Sequence, residues 1–146
     1  MNTRETNEQQ DIELLQNRGV KPTAMRLLVL RSLIDSNEAL TLRQLEEKLI
    51  SADRSTIFRT LTLFEQQHLI HTINDGSGSM RYEICHSHHH NSHDDRHPHF
   101  RCLQCKRTIC LLDQTIPPIT LPKGYEVDQI SYIVTGICPD CVNRQS

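Results

Sequence analysis

Residues 41–84 read TLRQLEEKLISADRSTIFRTLTLFEQQHLIHTINDGSGSMRYEI. Thr41 and Gln44 stand at capping-box spacing, the pattern in which a hydroxyl and a side-chain amide satisfy each other's backbone N–H at a helix start. Leu42, Leu45 and Leu49 then face one way along a short helix. Asp53 or Ser55 caps the next helix, in which Ile57, Leu61 and Phe64 share a face and which ends near His68. Leu69–Ile73 and Met80–Ile84 are strand-like, and the stretch between them, NDGSGS, is dense in turn formers. Two helices across a tight turn, followed by a hairpin, predict a winged helix-turn-helix. The longer helix is the one that would enter a major groove, and the hairpin is the wing.

Upstream, residues 1–8 are polar and are expected to be disordered. Ile12, Leu14 and Leu15 begin a helix that stops at Gly19, a residue suited to a helix C-cap. Thr23 caps a further helix running to Ile34, with Leu27, Leu30 and Ile34 on one face and Leu28 and Val29 widening it. Asp35-Ser36-Asn37 is a turn. These apolar stripes are read as core.

Downstream the character changes. Residues 86–96, HSHHHNSHDDR, cannot pack a core and read as a hinge or insertion. From His97 strand-like segments return, at Phe100–Leu103, Thr108–Leu112 and Tyr125–Val134. Cys102-Leu103-Gln104-Cys105 and Cys138-Pro139-Asp140-Cys141 are two C-x-x-C knuckles. Each aims two thiolates at one point, and together they can close a tetrahedral shell without water, as a structural zinc site requires. The expected fold is α+β: a winged helix-turn-helix over 1–85, the His-rich hinge, and a small, sheet-based α/β second domain over 97–146 clamped by zinc on Cys102, Cys105, Cys138 and Cys141. Cys110 is expected to pack as a small apolar residue.

Composition supports one ordinary domain or two small ones. The chain has 146 residues, is 36% hydrophobic and 4% aromatic, and has no Trp, so the core must be aliphatic and modest. The opening residues are polar, with no secretory signal, and no apolar run reaches membrane-spanning length. A cytoplasmic protein with no membrane partner is expected, and its six cysteines read as metal ligands rather than disulfides. The net charge of −2 does not advertise nucleic acid. Between Arg18 and Thr62, eight Lys and Arg stand against five Asp and Glu, a mild basic bias that a solvated helix surface would also show.

Three motifs carry a resemblance: Lys21-Pro22-Thr23-x-x-Arg26, Ser55-Thr56-Ile57-Phe58-Arg59-Thr60-Leu61, and His97-x-His99-x-x-Cys102-x-x-Cys105 with Cys138-x-x-Cys141. With them the chain resembles the ferric uptake regulator family of bacterial metalloregulators over nearly its whole length. Where the family usually has Ala-Thr-Val-Tyr-Arg in the recognition helix, Ser-Thr-Ile-Phe-Arg stands here. The resemblance implies a homodimer that binds a palindromic operator when metal-loaded and represses metal-uptake genes, with no small organic substrate. It implies DNA contacts from Arg26, Ser55, Thr56, Phe58 and Arg59, and Arg81 on the wing is expected to add backbone contacts.

The resemblance also implies a regulatory metal at the hinge. The early His of iron-sensing members is missing, since that stretch reads Glu38-Ala39-Leu40, although their wing Glu lines up with Glu83. The zinc-sensing branch is more similar: His71 begins the wing, Cys85 ends it, and His97 and His99 follow. The implied set is His71, Cys85, His97 and His99, with Glu83 and His90 as alternative ligands. A thiolate with three imidazoles suits zinc. Two zinc ions per subunit are expected, one structural and one regulatory, with iron or manganese as the alternative regulatory ion. The family's additional site would need ligands where Pro98, Pro117 and Ile130 stand, and is expected to be absent.

Three other readings compete. An iron- or peroxide-responsive repressor of the same family would lean on Glu83. A zinc-buffering or delivery protein would use the run from His86 to His93, which reads equally well as a solvated loop. A metalloenzyme would need an open coordination position and a general base, and no HExxH-type helical motif is present.

Overall fold

The computed structural model describes residues 3–84, 98–111, 114, 116–127 and 130–145. Cys85, His90, His97 and the rest of the His-rich stretch lie outside the described residues, as does that part of the expected hinge.

Four helices and a small sheet form the N-terminal part. Helix α1 spans Thr3–Asn17, so helix extends through most of the stretch read from its polarity as disordered. Asp11 in α1 is buried, and it accepts from the Arg31 guanidinium of the next helix. That pair anchors a polar segment whose composition alone would not order it. At the far end Val20 N–H donates to Leu15 O and Gly19 N–H to Gln16 O, the doubled bond of a Schellman cap, with Gly19 at φ +72°.

Helix α2 spans Ala24–Asp35, capped by Thr23 through the N–H of Arg26. Its buried residues are Val29, Leu30 and Leu33, while Leu28 and Ile34 are exposed. Leu30 and Val29 of the predicted face are in the core and Leu27 packs against it, whereas Leu28 and Ile34 turn outward and Leu33 takes their place. Four consecutive apolar residues, Leu27 to Leu30, leave the helical phase undetermined by sequence, and tertiary packing selects it. Strand β1 (Leu40–Thr41) leads into α3 (Leu42–Lys48), where Thr41 and Gln44 form the reciprocal capping box. Asp53, not Ser55, caps α4 (Arg54–Gln66), and Ile57, Leu61 and Phe64 of α4 are fully buried.

Strands β2 (Ile70–Asn74) and β3 (Met80–Ile84) form the hairpin, and β1 completes the sheet in the order β1-β3-β2. The register sets His71 opposite Glu83 and Ile73 opposite Arg81. Helices and hairpin share one core centred on Leu15, Leu30, Leu45, Ile57, Leu61 and Phe64.

The second sheet, β5-β4-β6, has β4 (His99–Cys102) at its centre. Strand β5 (Thr108–Cys110) pairs antiparallel with it, and β6 (Ile133–Gly136) pairs parallel. Among the described residues of the predicted strand from Tyr125 to Val134, only Ile133 and Val134 are strand, and β6 runs on to Gly136. Helix α5 (Pro139–Gln145) was not anticipated, although Pro139 at the first helical position and Asp140 beside it are start signals. The buried cluster here is small: Cys102, Cys138 and Cys141, with Phe100 and Cys105 against it. Among the described residues no helix is long and apolar enough to cross a membrane.

The two sheets meet through Asp75. Its side chain is fully buried and accepts from Arg81 Nε and from Thr108 Oγ1, each at 2.7 Å. Burial alone would raise its pKa, but hydrogen bonds from Ser77 and Thr108 and the charge of Arg81 outweigh that and hold the carboxyl well below its usual range.

Leu15 joins α1 to the shared core and has no exposed surface. Leu15→Ala should destabilise the fold by about 2–5 kcal/mol in urea melts, the cost of a buried leucine cavity. A loss below about 1 kcal/mol would mean that α1 does not belong to this core.

Candidate metal centres and nucleic-acid interface

The two knuckles converge. Ligand atoms of Cys102, Cys105, Cys138 and Cys141 all lie within 4.8 Å of one another. Cys102 and Cys105 flank the turn out of β4, and Cys138 and Cys141 flank the start of α5. Backbone N–H groups of Cys105 and Cys138 each donate to the Cys102 sulfur at 3.4 Å. The Cys138 N–H is the main cause that holds the Cys102 thiol down at about 5. Burial pushes Cys141 in the opposite direction, to about 12, with neighbouring sulfurs adding to it. Sulfurs this close cannot all ionise by themselves, and a dication relieves that repulsion. The donor set fits zinc, which takes four thiolates in closed tetrahedral sites.

Arg107 completes the surroundings of this cluster. Its guanidinium donates to Cys105 Sγ at 3.3 Å, Cys138 Sγ at 3.7 Å and Asp140 Oδ2 at 3.0 Å. The bond to Arg107 is the first cause that lowers the Cys105 thiol. Four thiolates around a dication carry two surplus negative charges, and Arg107 sits where it offsets one of them.

A second group lies between the two sheets. Ligand atoms of Glu83, His99 and Cys110 also fall within 4.8 Å of one another, and His99 Nε2 and Glu83 Oε1 are 2.8 Å apart. Glu83 comes from the wing, and His99 and Cys110 are register partners on β4 and β5. Among the described residues, His99 of the implied set and Glu83, its named alternative, join this group. His71 is the ladder partner of Glu83 but is not part of the group. Cys85 and His97 lie outside the described residues. Cys110, expected to pack as a small apolar residue, is part-buried and stands in this group as a third side chain that could ligate a metal. Its strand register opposite His99 was the signal, and that register is not visible in sequence. A cavity of about 230 Å³ adjoins Glu83 and Cys110, lined also by Ile34, Glu38, Ala39 and Ile109.

The helix-turn-helix exposes Ser55, Phe58 and Arg59 on one side of α4. Phe58 is half-exposed although its neighbours Ile57 and Leu61 are fully buried, so it belongs to the outer face of the helix. Thr56 has its hydroxyl bonded to Asp53, and Arg26 donates to the Lys21 carbonyl at 2.8 Å, closing the loop before α2. Both are therefore partly committed to the fold. The wing contact expected from Arg81 is corrected: Arg81 is 6% exposed and points inward to Asp75, because that buried carboxylate needs a cationic partner.

The fold is a winged helix-turn-helix joined to a second sheet, with two groups of side chains that could hold metal ions, the make-up expected of a metal-dependent regulator of transcription. Residues 17–120 match the model of the Ferric uptake regulator family, and the chain belongs to that family, whose members are regulators and not enzymes. It is 24% identical over 144 residues to the ferric uptake regulation protein of Campylobacter jejuni, covering 92% of this chain and 87% of that protein. The fold is similar to a zinc uptake regulator complexed with zinc and DNA, at a TM-score of 0.67 and 20% identity, with 99% of each chain covered. It is also similar to a zinc-bound manganese uptake regulator, at a TM-score of 0.60 and 22% identity, covering 88% of this chain and 98% of that one.

The sulfur cluster is nearly the whole core of the second sheet. Stripping metal from it with a strong chelator should therefore remove the tertiary signal of residues 98–145 and retain most of the helical circular dichroism, which belongs to α1–α4. Cys102→Ala should behave in the same way. A chelator-treated protein that keeps protease resistance across β4–β6 would contradict this.

Proposed function

We propose that this chain is a zinc-responsive repressor of metal-uptake genes. It acts as a homodimer with domains at 1–85 and 97–146, joined through the His-rich 86–96. The observation that carries this reading is the meeting of Glu83 from the wing with His99 and Cys110 from the second sheet. Any ion held there is bound by both halves of the molecule. Its affinity then depends on how they are arranged, and by linkage its binding biases that arrangement.

The thiol favours zinc, a borderline-soft ion, over harder ions. A bound zinc supplies charge and a tetrahedral preference. The chain supplies the rest: Glu83, His99 and Cys110, and a fourth donor from the set implied by sequence, namely Cys85, His97 or His71. The four sulfurs of Cys102, Cys105, Cys138 and Cys141 hold a second, structural zinc. Ser55, Phe58 and Arg59 meet the operator, with Thr56 and Arg26 at the rim. In a dimer two recognition helices would read half-sites about 34–36 Å apart. The similarity in fold to a zinc uptake regulator complexed with zinc and DNA supports the reading.

The carboxylate of Glu83 favours a second reading, because oxygen donors suit ferrous iron or manganese. Operator binding, followed by fluorescence anisotropy while free zinc or ferrous iron is titrated, separates the two. Zinc should switch binding on at the lower free concentration, and Cys110→Ala and Cys85→Ala should each raise the zinc required while leaving the fold intact. Iron-selective switching that survives Cys110→Ala but not Glu83→Ala would overturn the zinc assignment. Arg59→Ala should weaken binding across operator sequences and reduce the salt slope by about one, as loss of a phosphate contact does.

A further inference from the structure

Side chains two apart on a strand share a face and are separated by roughly 7 Å. On β3 these are Arg81 and Glu83, on β4 Arg101 and His99, and on β5 Thr108 and Cys110. The register pairs His99 with Cys110 and Arg101 with Thr108. The joint between the sheets is therefore built in two tiers from the same three strands. One tier holds the donors Glu83, His99 and Cys110. The other holds Arg81, Arg101 and Thr108, gathered around Asp75.

The Asp75 tier ties together segments far apart in the chain. Asp75 Oδ2 accepts from Arg81 Nε and Thr108 Oγ1, and Oδ1 accepts from the Ser77 N–H at 3.0 Å. Arg81 uses its other nitrogens on the Ala39 carbonyl at 2.9 Å and the Lys106 carbonyl at 3.0 Å. The Ala39 N–H donates to the Thr108 carbonyl at 2.9 Å. Arg101 Nε is buried 4.0 Å from the same carboxylate oxygen. Hairpin, β3, β5 and the loop before β1 are thus locked to each other by groups that would be costly to leave unpaired.

We propose that Asp75, Arg81 and Thr108 are positioning residues for the regulatory metal. They hold β3 against β5 so that Glu83 arrives within ligand distance of His99 and Cys110, and so they set the affinity of that site without touching the ion. A metal shell tolerates errors of only about 0.2 Å, so a small slip of the wing in the first tier misplaces Glu83 in the second. The inference rests on Glu83, His99 and Cys110 being a metal site.

The test uses the full-length protein with its sulfur cluster loaded with zinc, and cobalt(II) as the probe of the second site. Thiolate-to-cobalt absorption and a competition titration give affinity at that site. Thr108→Val, which deletes one hydrogen bond at nearly constant shape, and Asp75→Asn should each weaken cobalt binding by about ten- to a hundredfold, the range seen for outer partners of metal ligands. Thr108→Ser should restore it. Leu15→Ala, which destabilises a distant part of the core, should lower the melting temperature without changing cobalt affinity. If Asp75→Asn does not fold, Thr108→Val decides. Wild-type affinity in a folded Thr108→Val protein would overturn the positioning role while the site stands. Absence of a thiolate–cobalt band in the wild type, or its full retention in Cys110→Ala, would overturn the site and the positioning role with it.

Discussion

A carboxylate that is cut off from water must find its partners inside the protein. Asp75 sits in the turn of a hairpin, where an aspartate would ordinarily be solvated, yet its side chain is fully buried. Its two short bonds come from opposite sides of a joint: Arg81 belongs to the wing and Thr108 to the second sheet. Removing Arg81 would leave the carboxylate buried without a countercharge, a loss of several kcal/mol, whereas removing the Thr108 hydroxyl would cost one hydrogen bond across the joint. In this arrangement the wing, the loop at Ala39 and strand β5 are therefore held against one another. Everything carried on those strands inherits it, including the Glu83, His99 and Cys110 donors one step along.

The two clusters of metal-binding side chains differ in the physical demand they answer. The sulfur cluster replaces a hydrophobic core. Among the described residues the buried apolar cluster of the second sheet is Cys102, Cys138 and Cys141 with Phe100 partly buried against it, and a segment with so small a core needs a metal to repay the entropy of ordering it. The close approach of Gly136 to the Phe100 ring, where a Cβ would come within 3.2 Å, shows how tightly that remnant core is drawn around the sulfurs. The Glu83 cluster stabilises no core. It spans a boundary, so an ion held there would be bound by both parts and would bias their relation.

Much of the fold was legible from local signals. The Thr41–Gln44 capping box, the Ile57, Leu61 and Phe64 stripe and the turn-rich residues between the wing strands each encode structure within a few residues, and each appears in the molecule. The two knuckles were equally plain, because metal chemistry demands their spacing. What escaped was decided by distant contacts. Four consecutive apolar residues in α2 concealed which of them faced inward. The polar α1 is held by the pairing of Asp11 with Arg31, twenty residues away. Arg81 read as a DNA contact because nothing nearby revealed that Asp75 would be buried beside it. Cys110 read as apolar filler because only the pairing of β4 with β5 brings it opposite His99. Local chemistry was readable, and cross-strand register was not.

The central claim is that one metal ion is shared between the wing and the second sheet at Glu83, His99 and Cys110. Anomalous diffraction at the zinc edge from crystals of the zinc-loaded protein tests it most directly. The account predicts two zinc peaks per subunit, one amid the four sulfurs and one bonded to the Cys110 sulfur and a His99 nitrogen with Glu83 against it. A second peak remote from Cys110, with that sulfur packed against aliphatic neighbours, would contradict it.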